Sequence, residues 1–186
     1  EQRPFEYLHG IYFYNGKEFE FKDFIVKEYT RKEEERIFRE LVAFLEKHFN
    51  KYPNAFLYHY NVYEKRALRE LASDYSATFI KGNNFVDKLL RLEKFVDLYR
   101  VVSQCMQTSE KDLTLKSIEK FYRDERSADI KTADDSIRIF ESWLVTKNKK
   151  DLKDIIVYNK EDCISTYDLR EFLIKHRPDD FPFFKL

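Results

Sequence analysis

Tyr158 and Asp162 lie four residues apart in Tyr158-Asn159-Lys160-Glu161-Asp162, within a stretch whose pattern predicts a helix. At that spacing the two side chains share one face, so a phenol and a carboxylate can meet at one site. The carboxylate offers oxygen ligands to a hard cation. The phenol, with an ordinary pKa of about 10, is a poor base at neutral pH and is better suited to orienting a water. Spacing alone equally describes an ordinary helix face, with Tyr158 packed on a core and Asp162 solvated. A second carboxyl, Glu64, ends the run His59-Tyr60-Asn61-Val62-Tyr63-Glu64. It follows a predicted buried strand, and strand ends of this kind converge on the crevice where α/β proteins place their sites. The same residues also fit a capping box, with Glu64 reaching back to the backbone N–H of Asn61.

These groups need a scaffold, and the sequence supplies one. Tyr7 to Tyr14 and Glu18 to Val26 are rich in aromatic and β-branched residues and flank Asn15-Gly16, which predicts a β-hairpin with a two-residue type I′ turn. From Glu33 to Phe49, apolar residues recur at three- and four-residue spacing, the mark of an amphipathic helix. Ala55 to Tyr60 lacks polar alternation and predicts a strand buried on both faces. Asn61 is the expected N-cap of a helix running to about Tyr75, with Leu68 and Leu71 inward. Phe95 to Leu98 predicts a further short strand. Helical patterns follow at Leu115 to Tyr122, at Ser136 to Leu144 behind an Asp134-Asp135 cap, and from Asp151 to about Lys175. Buried strands alternating with helices need crossover connections, so the order predicts an α/β chain with a mixed sheet covered by helices.

Composition narrows the function classes. With 18 Phe and 13 Tyr in 186 residues, the chain carries too much apolar surface to be disordered. Lys plus Arg equal Asp plus Glu at 34 each, which excludes the global basic charge of a passive nucleic-acid binder. Any such contact must be local or carried by metal ions. Cys105 and Cys163 lack the paired spacing of a zinc or redox motif, which implies a reduced, cytoplasmic protein with two partly buried thiols. No apolar run approaches the roughly 18 residues of a membrane span. Residues 1–186 are expected to form one domain, a fragment of something longer, since the chain opens almost directly on a strand. Asp97 fits a cap on the turn after its strand, and His59 fits a hydrogen-bonded core histidine. Lys147-Asn148-Lys149-Lys150 fits a solvated loop, while Tyr60 or Tyr63 could stack on a terminal base.

Taken in order, these segments resemble the ribonuclease H-like exonuclease superfamily of the DnaQ or DEDD type. The likeness spans nearly the whole chain. It is closest to the ribonuclease H-like domain of bacterial predicted nucleases, which can be joined to RecB-like nuclease or helicase modules. The matching segments are Glu6 to Tyr12, Tyr58 to Glu64, Phe95 to Val102, Leu115 to Glu119, Asp135-Ser136-Ile137 with Trp143, and Tyr158 to Cys163. The resemblance implies a ribonuclease H-like mixed sheet flanked by helices, and a metal-dependent enzyme that removes nucleotides from a 3′ end, a single-stranded one above all. It also implies four metal-binding carboxylates: an Asp-x-Glu pair on the first strand, a third after a later strand, and a fourth in a C-terminal Tyr-x-x-x-Asp motif. Tyr158 and Asp162 match that motif. Glu64 stands where the family commonly has Asp, one methylene longer, which could shift a metal and alter activity. Glu1-Gln2-Arg3-Pro4 is similar to the stretch that begins at the pair's Glu. Glu1 is thus the candidate second ligand, with its Asp partner and first strand upstream. An Asp two residues before Glu1 would favour the enzyme. A residue without a carboxylate there would favour a degenerate module that binds nucleic acid or positions a partner nuclease or helicase.

Clustered acids suit this chemistry for physical reasons. A phosphodiester resists attack because it is already negative, and its leaving oxygen gains charge as the bond breaks. Two divalent ions about 3.5 to 4 Å apart answer both problems, activating a water and stabilising the leaving oxygen. Mg²⁺ or Mn²⁺ take hard oxygen ligands, and several carboxylates offset their charge.

Overall fold

The structure, a computed structural model, describes residues 3–124, 130 and 132–178. Strands β1 (Leu8–Tyr14) and β2 (Phe19–Ile25) form an antiparallel ladder in the register Leu8↔Ile25 to Tyr14↔Phe19. The connection is Asn15 to Glu18, four residues rather than the expected two. Of these only Gly16 has a positive φ, +109°. The Asn15 side chain closes the turn by accepting from the N–H groups of Lys17 and Glu18 at 2.7 and 3.0 Å, so a type I′ geometry is not needed.

The hairpin lies between two long helices. On one face Phe13 and Phe24 pack against Phe44 of α1 (Arg31–Lys51). Thr30 caps α1 by accepting from the Glu33 N–H, and Ile37, Leu41 and Leu45 enter the core beside Phe24 and Val26. On the other face Gly10 meets α7 (Lys149–Lys175). A Cβ at Gly10 would overlap Asn159 Oδ1 and lie 2.9 Å from the Phe21 ring. Strand and helix can approach this closely only because residue 10 has no side chain.

Strands β3 (Leu57–His59) and β4 (Phe95–Asp97) form a separate parallel pair, Leu57↔Phe95 to His59↔Asp97. Among the described residues the strands thus make two two-stranded ladders rather than one mixed sheet. β3 is shorter than Ala55 to Tyr60, and Tyr58 turns an exposed ring outward, so it is not buried on both faces. Between the two strands run α2 (Tyr63–Asp74) and α3 (Ile80–Arg91). After β4 come α4 (Leu98–Cys105), α5 (Leu115–Glu119) and α6 (Ala133–Thr146). Thr132, not the Asp134-Asp135 pair, caps α6 by accepting from the Asp135 N–H; the acids occupy the first turn, where the helix dipole favours them. Lys147 ends α6 in the left-handed region and Asn148 caps α7, so the lysine patch joins two helices. α7 touches β1, β3, α4, α5 and α6. No helix among the described residues is long and apolar enough to cross a membrane.

One buried carboxylate ties the N-terminal segment to this frame. Glu34 is fully buried and accepts a bidentate pair from Arg3 at 2.7 and 2.8 Å. It also accepts from the Glu6 N–H at 2.7 Å, from Arg31 and from the Tyr75 hydroxyl. Burial alone would raise its pKa, but the donors hold it at about 2. Glu34→Ala leaves Arg3 without its buried partner and is expected to cost about 3–5 kcal/mol, measurable by urea denaturation. Since the folded pKa lies below the ordinary 4.5, this stabilisation is present in full above that value and is lost as pH falls toward about 2.

Candidate active site

Parallel pairing brings the C-terminal ends of β3 and β4 to the same edge, with His59 opposite Asp97. Asp97 caps α4, its Oδ1 accepting from the Tyr99 N–H at 3.0 Å. The same oxygen accepts from the Asn61 N–H at 2.9 Å. This second bond decides the capping-box question. The donor that Glu64 would have reached is taken by Asp97, 36 residues further along the chain. Asn61 is held at φ +72° and α2 begins at Tyr63 with Val62 as its N-cap, without a side-chain cap. Asn61 is therefore not the N-cap, and Glu64 is released to face the strand ends.

Glu64 Oε2 lies 3.9 Å from His59 Nδ1. His59 is buried, and its Nδ1 is 2.6 Å from the Asn61 carbonyl, where it donates. Burial lowers its pKa, so at neutral pH the ring gives Glu64 no compensating charge. The Glu64 side chain is 55% open to solvent, but surrounding protein displaces enough water to disfavour its charge. That burial, opposed by a bond from its own N–H and reinforced by Asp162, Asp97 and Glu6, pushes its carboxyl up to about 7.

Asp162 reaches this edge from α7, which packs on β3. It is half-buried, one turn from Tyr158, whose ring packs against the core that contains Ile155. Cys163 follows, its thiol pushed well up by burial and by the charges of Asp162 and Glu64. Cys105, by contrast, is exposed rather than partly buried. Glu6, absent from the sequence-based candidates, joins the group: it is buried, its Oε1 accepts from the Tyr63 hydroxyl at 2.9 Å, and its carboxyl is raised by burial. Its place within a matching segment was the only signal.

The structure thus brings Glu64 and Asp162 within electrostatic reach of each other, with Tyr158 one turn away, while Glu1 lies outside the described residues. Oxygen donors of this kind fit Mg²⁺ or Mn²⁺, and a carboxyl raised by burial and further by neighbouring negative charge is one that a cation would stabilise. Among the described residues no group of three or more His, Cys, Asp or Glu could hold a metal ion. A cavity of about 470 Å³ between Tyr14, His48 and Asn54 contains none of these acids.

Parallel strand ends, a long helix packed on one of them and carboxyl groups from both elements define an α/β architecture with an acidic edge. The chain belongs to the RNase H superfamily, whose family model matches residues 1–174. Members are usually nucleases and typically use divalent metals. No curated protein and no solved structure matches the chain.

The pKa of Glu64 gives a direct check. A carbon-13 titration should place its midpoint near 7 and move it down in Asp162→Asn. Because the folded pKa is above the ordinary 4.5, the penalty is absent below 4.5 and complete above 7. Glu64→Gln should then raise the melting temperature at about pH 8 but not at about pH 4.

Proposed function

We propose that the chain is a metal-dependent 3′-to-5′ exonuclease that hydrolyses nucleic-acid phosphodiesters with two Mg²⁺ or Mn²⁺ ions. The observation that carries this reading is the convergence of Glu64 and Asp162 from two different elements, close enough that the charge of Asp162 adds to the burial that raises Glu64 to about 7. Glu64 and Asp162 would hold the metal, with Glu1 as a further ligand. Bound there, divalent ions supply an activated water and neutralise charge at the leaving oxygen.

The protein's own groups do the rest. Tyr158, as a hydrogen-bond donor one turn from Asp162, orients the attacking water. His59, neutral and tethered to the Asn61 carbonyl, fixes the wall beside Glu64. Glu64 lies on an open surface rather than in an enclosed pocket, which suits a polymer end over a small phosphoester. The superfamily's habit of nuclease chemistry supports the reaction class, and the Tyr-x-x-x-Asp spacing supports the 3′ polarity. A single-stranded 3′ end is the proposed substrate, with a RecB-like nuclease or helicase module as the partner and the cytoplasm as the setting.

The test is a nuclease assay on 3′- and 5′-labelled single- and double-stranded substrates with Mn²⁺. Asp162→Ala should cost more than the roughly 10–100-fold that follows loss of an outer-shell partner, and chelation should abolish activity. Activity that survives Asp162→Ala would sink the mechanism. Endonucleolytic products would correct the polarity, and metal-independent binding without turnover would mark a binding module instead.

A further inference from the structure

α2 starts beside the acidic edge and turns a different kind of surface outward. Its buried residues are Ala67, Leu71 and Ala72, the last two packed with Phe38 and Val42 of α1, which fixes the rotation of the helix. Tyr63, Arg66 and Arg69, successive i, i+3 neighbours, are exposed on its outer side. Tyr63 is the residue next to Glu64, so this row begins at the candidate site and leads away from it.

Tyr63 is 47% open to solvent, yet its ring is not free to swing. Its hydroxyl donates to Glu6 Oε1 at 2.9 Å, and Glu6 is itself buried, with its N–H held by Glu34. Tyr60, the other tyrosine near the strand ends, is committed to the fold: its hydroxyl donates to the Leu113 carbonyl, and its ring meets Tyr99 edge-on at 5.7 Å. One turn beyond Tyr63, the Arg66 guanidinium lies 5.7 Å from the centroid of the Tyr63 ring. Arg66 also faces Glu70 at 3.8 Å, with the two side chains 56% and 38% open. A pair this exposed contributes little, and a phosphate can compete for the guanidinium. A groove of about 290 Å³ between Arg66, Arg69, Glu70 and Ser73 continues the row.

A ring pinned at its hydroxyl and open on its face loses little freedom when a base stacks on it, and every base has a face to offer. A polyanion crossing an edge that gathers Glu6, Glu64, Asp97 and Asp162 also needs a cation at the margin. We propose that Tyr63 and Arg66 form a substrate-binding pair for single-stranded nucleic acid: Tyr63 stacks on an unpaired base beside the Glu64 carboxyl, and Arg66 contacts the adjoining backbone phosphate. This rests on the nucleic-acid reading above. The pair selects unpaired strands, because a base within a duplex already has both faces stacked.

The experiment measures binding of a short fluorescein-labelled phosphorothioate oligothymidylate to the full chain by anisotropy in Mg²⁺ over a salt series, alongside hydrolysis of the natural oligothymidylate in Mn²⁺. Tyr63→Phe and Tyr63→Leu both lose the hydroxyl bond to Glu6 and differ in the ring, so the comparison isolates stacking. Tyr63→Leu should bind about tenfold more weakly than Tyr63→Phe, with the salt dependence unchanged. Arg66→Gln should reduce the slope of log affinity against log salt by about 0.7, the value for one single-strand phosphate contact, and Arg66→Lys should restore it. Equal affinity of the Phe and Leu variants overturns stacking on Tyr63, whether both match the wild type or both fall with the lost hydroxyl bond. An unchanged slope in Arg66→Gln overturns the phosphate contact. Either result, with the wild type active, leaves the exonuclease standing. The expected losses in a protein that binds but hydrolyses nothing support the pair and remove the exonuclease. Absence of both binding and hydrolysis in the wild type overturns both.

Discussion

A single carboxylate with no exposure to water, Glu34, fixes the start of the chain to the helices. Buried charge is costly unless every lone pair is answered, and here arginines from two segments, a tyrosine hydroxyl and a backbone N–H answer it. The consequence runs further than stability. By holding the Glu6 N–H, Glu34 fixes the residue whose own carboxylate accepts from Tyr63, and Tyr63 opens the helix on which Glu64 is the next residue. The path from the knot to the acidic edge is a chain of hydrogen bonds and covalent neighbours.

The acidic edge itself depends on a competition between two carboxylates for one donor. Asp97 takes the Asn61 N–H and the Tyr99 N–H with the same oxygen, and so joins the ends of two parallel strands into one rim. Had Asn61 kept its N–H for a local cap, Glu64 would have been spent on the helix end. The tertiary bond frees a side chain that the local pattern would have consumed.

That competition also marks the limit of what could be read from the sequence. Period and aromatic content were enough for α1 and the hairpin, and for α7 as well, although Glu161 and Ser165 interrupt its buried face. α3 escaped notice because Gly82, Asn83 and Asn84 sit in its first turns, residues of poor helix propensity that packing on α1 overrides. α4 was hidden inside the run after β4, and the four-residue turn at Asn15 depends on side-chain acceptance that the Asn-Gly dipeptide does not announce. Of the site, Tyr158 and Asp162 were legible as a spacing and Glu64 as a strand-end acid. Their approach and the part played by Glu6 required contacts between segments far apart in the chain.

The bare backbone at Gly10 has a consequence of its own. Asn159, the residue it admits, stands between Tyr158 and Lys160, so the tooth that seats α7 in the hairpin is cut into the same turn that bears the site's phenol. Seating at this notch fixes both the rotation of the helix about its axis and its advance along the strand. The aim of Tyr158 and Asp162 is therefore indexed against β1.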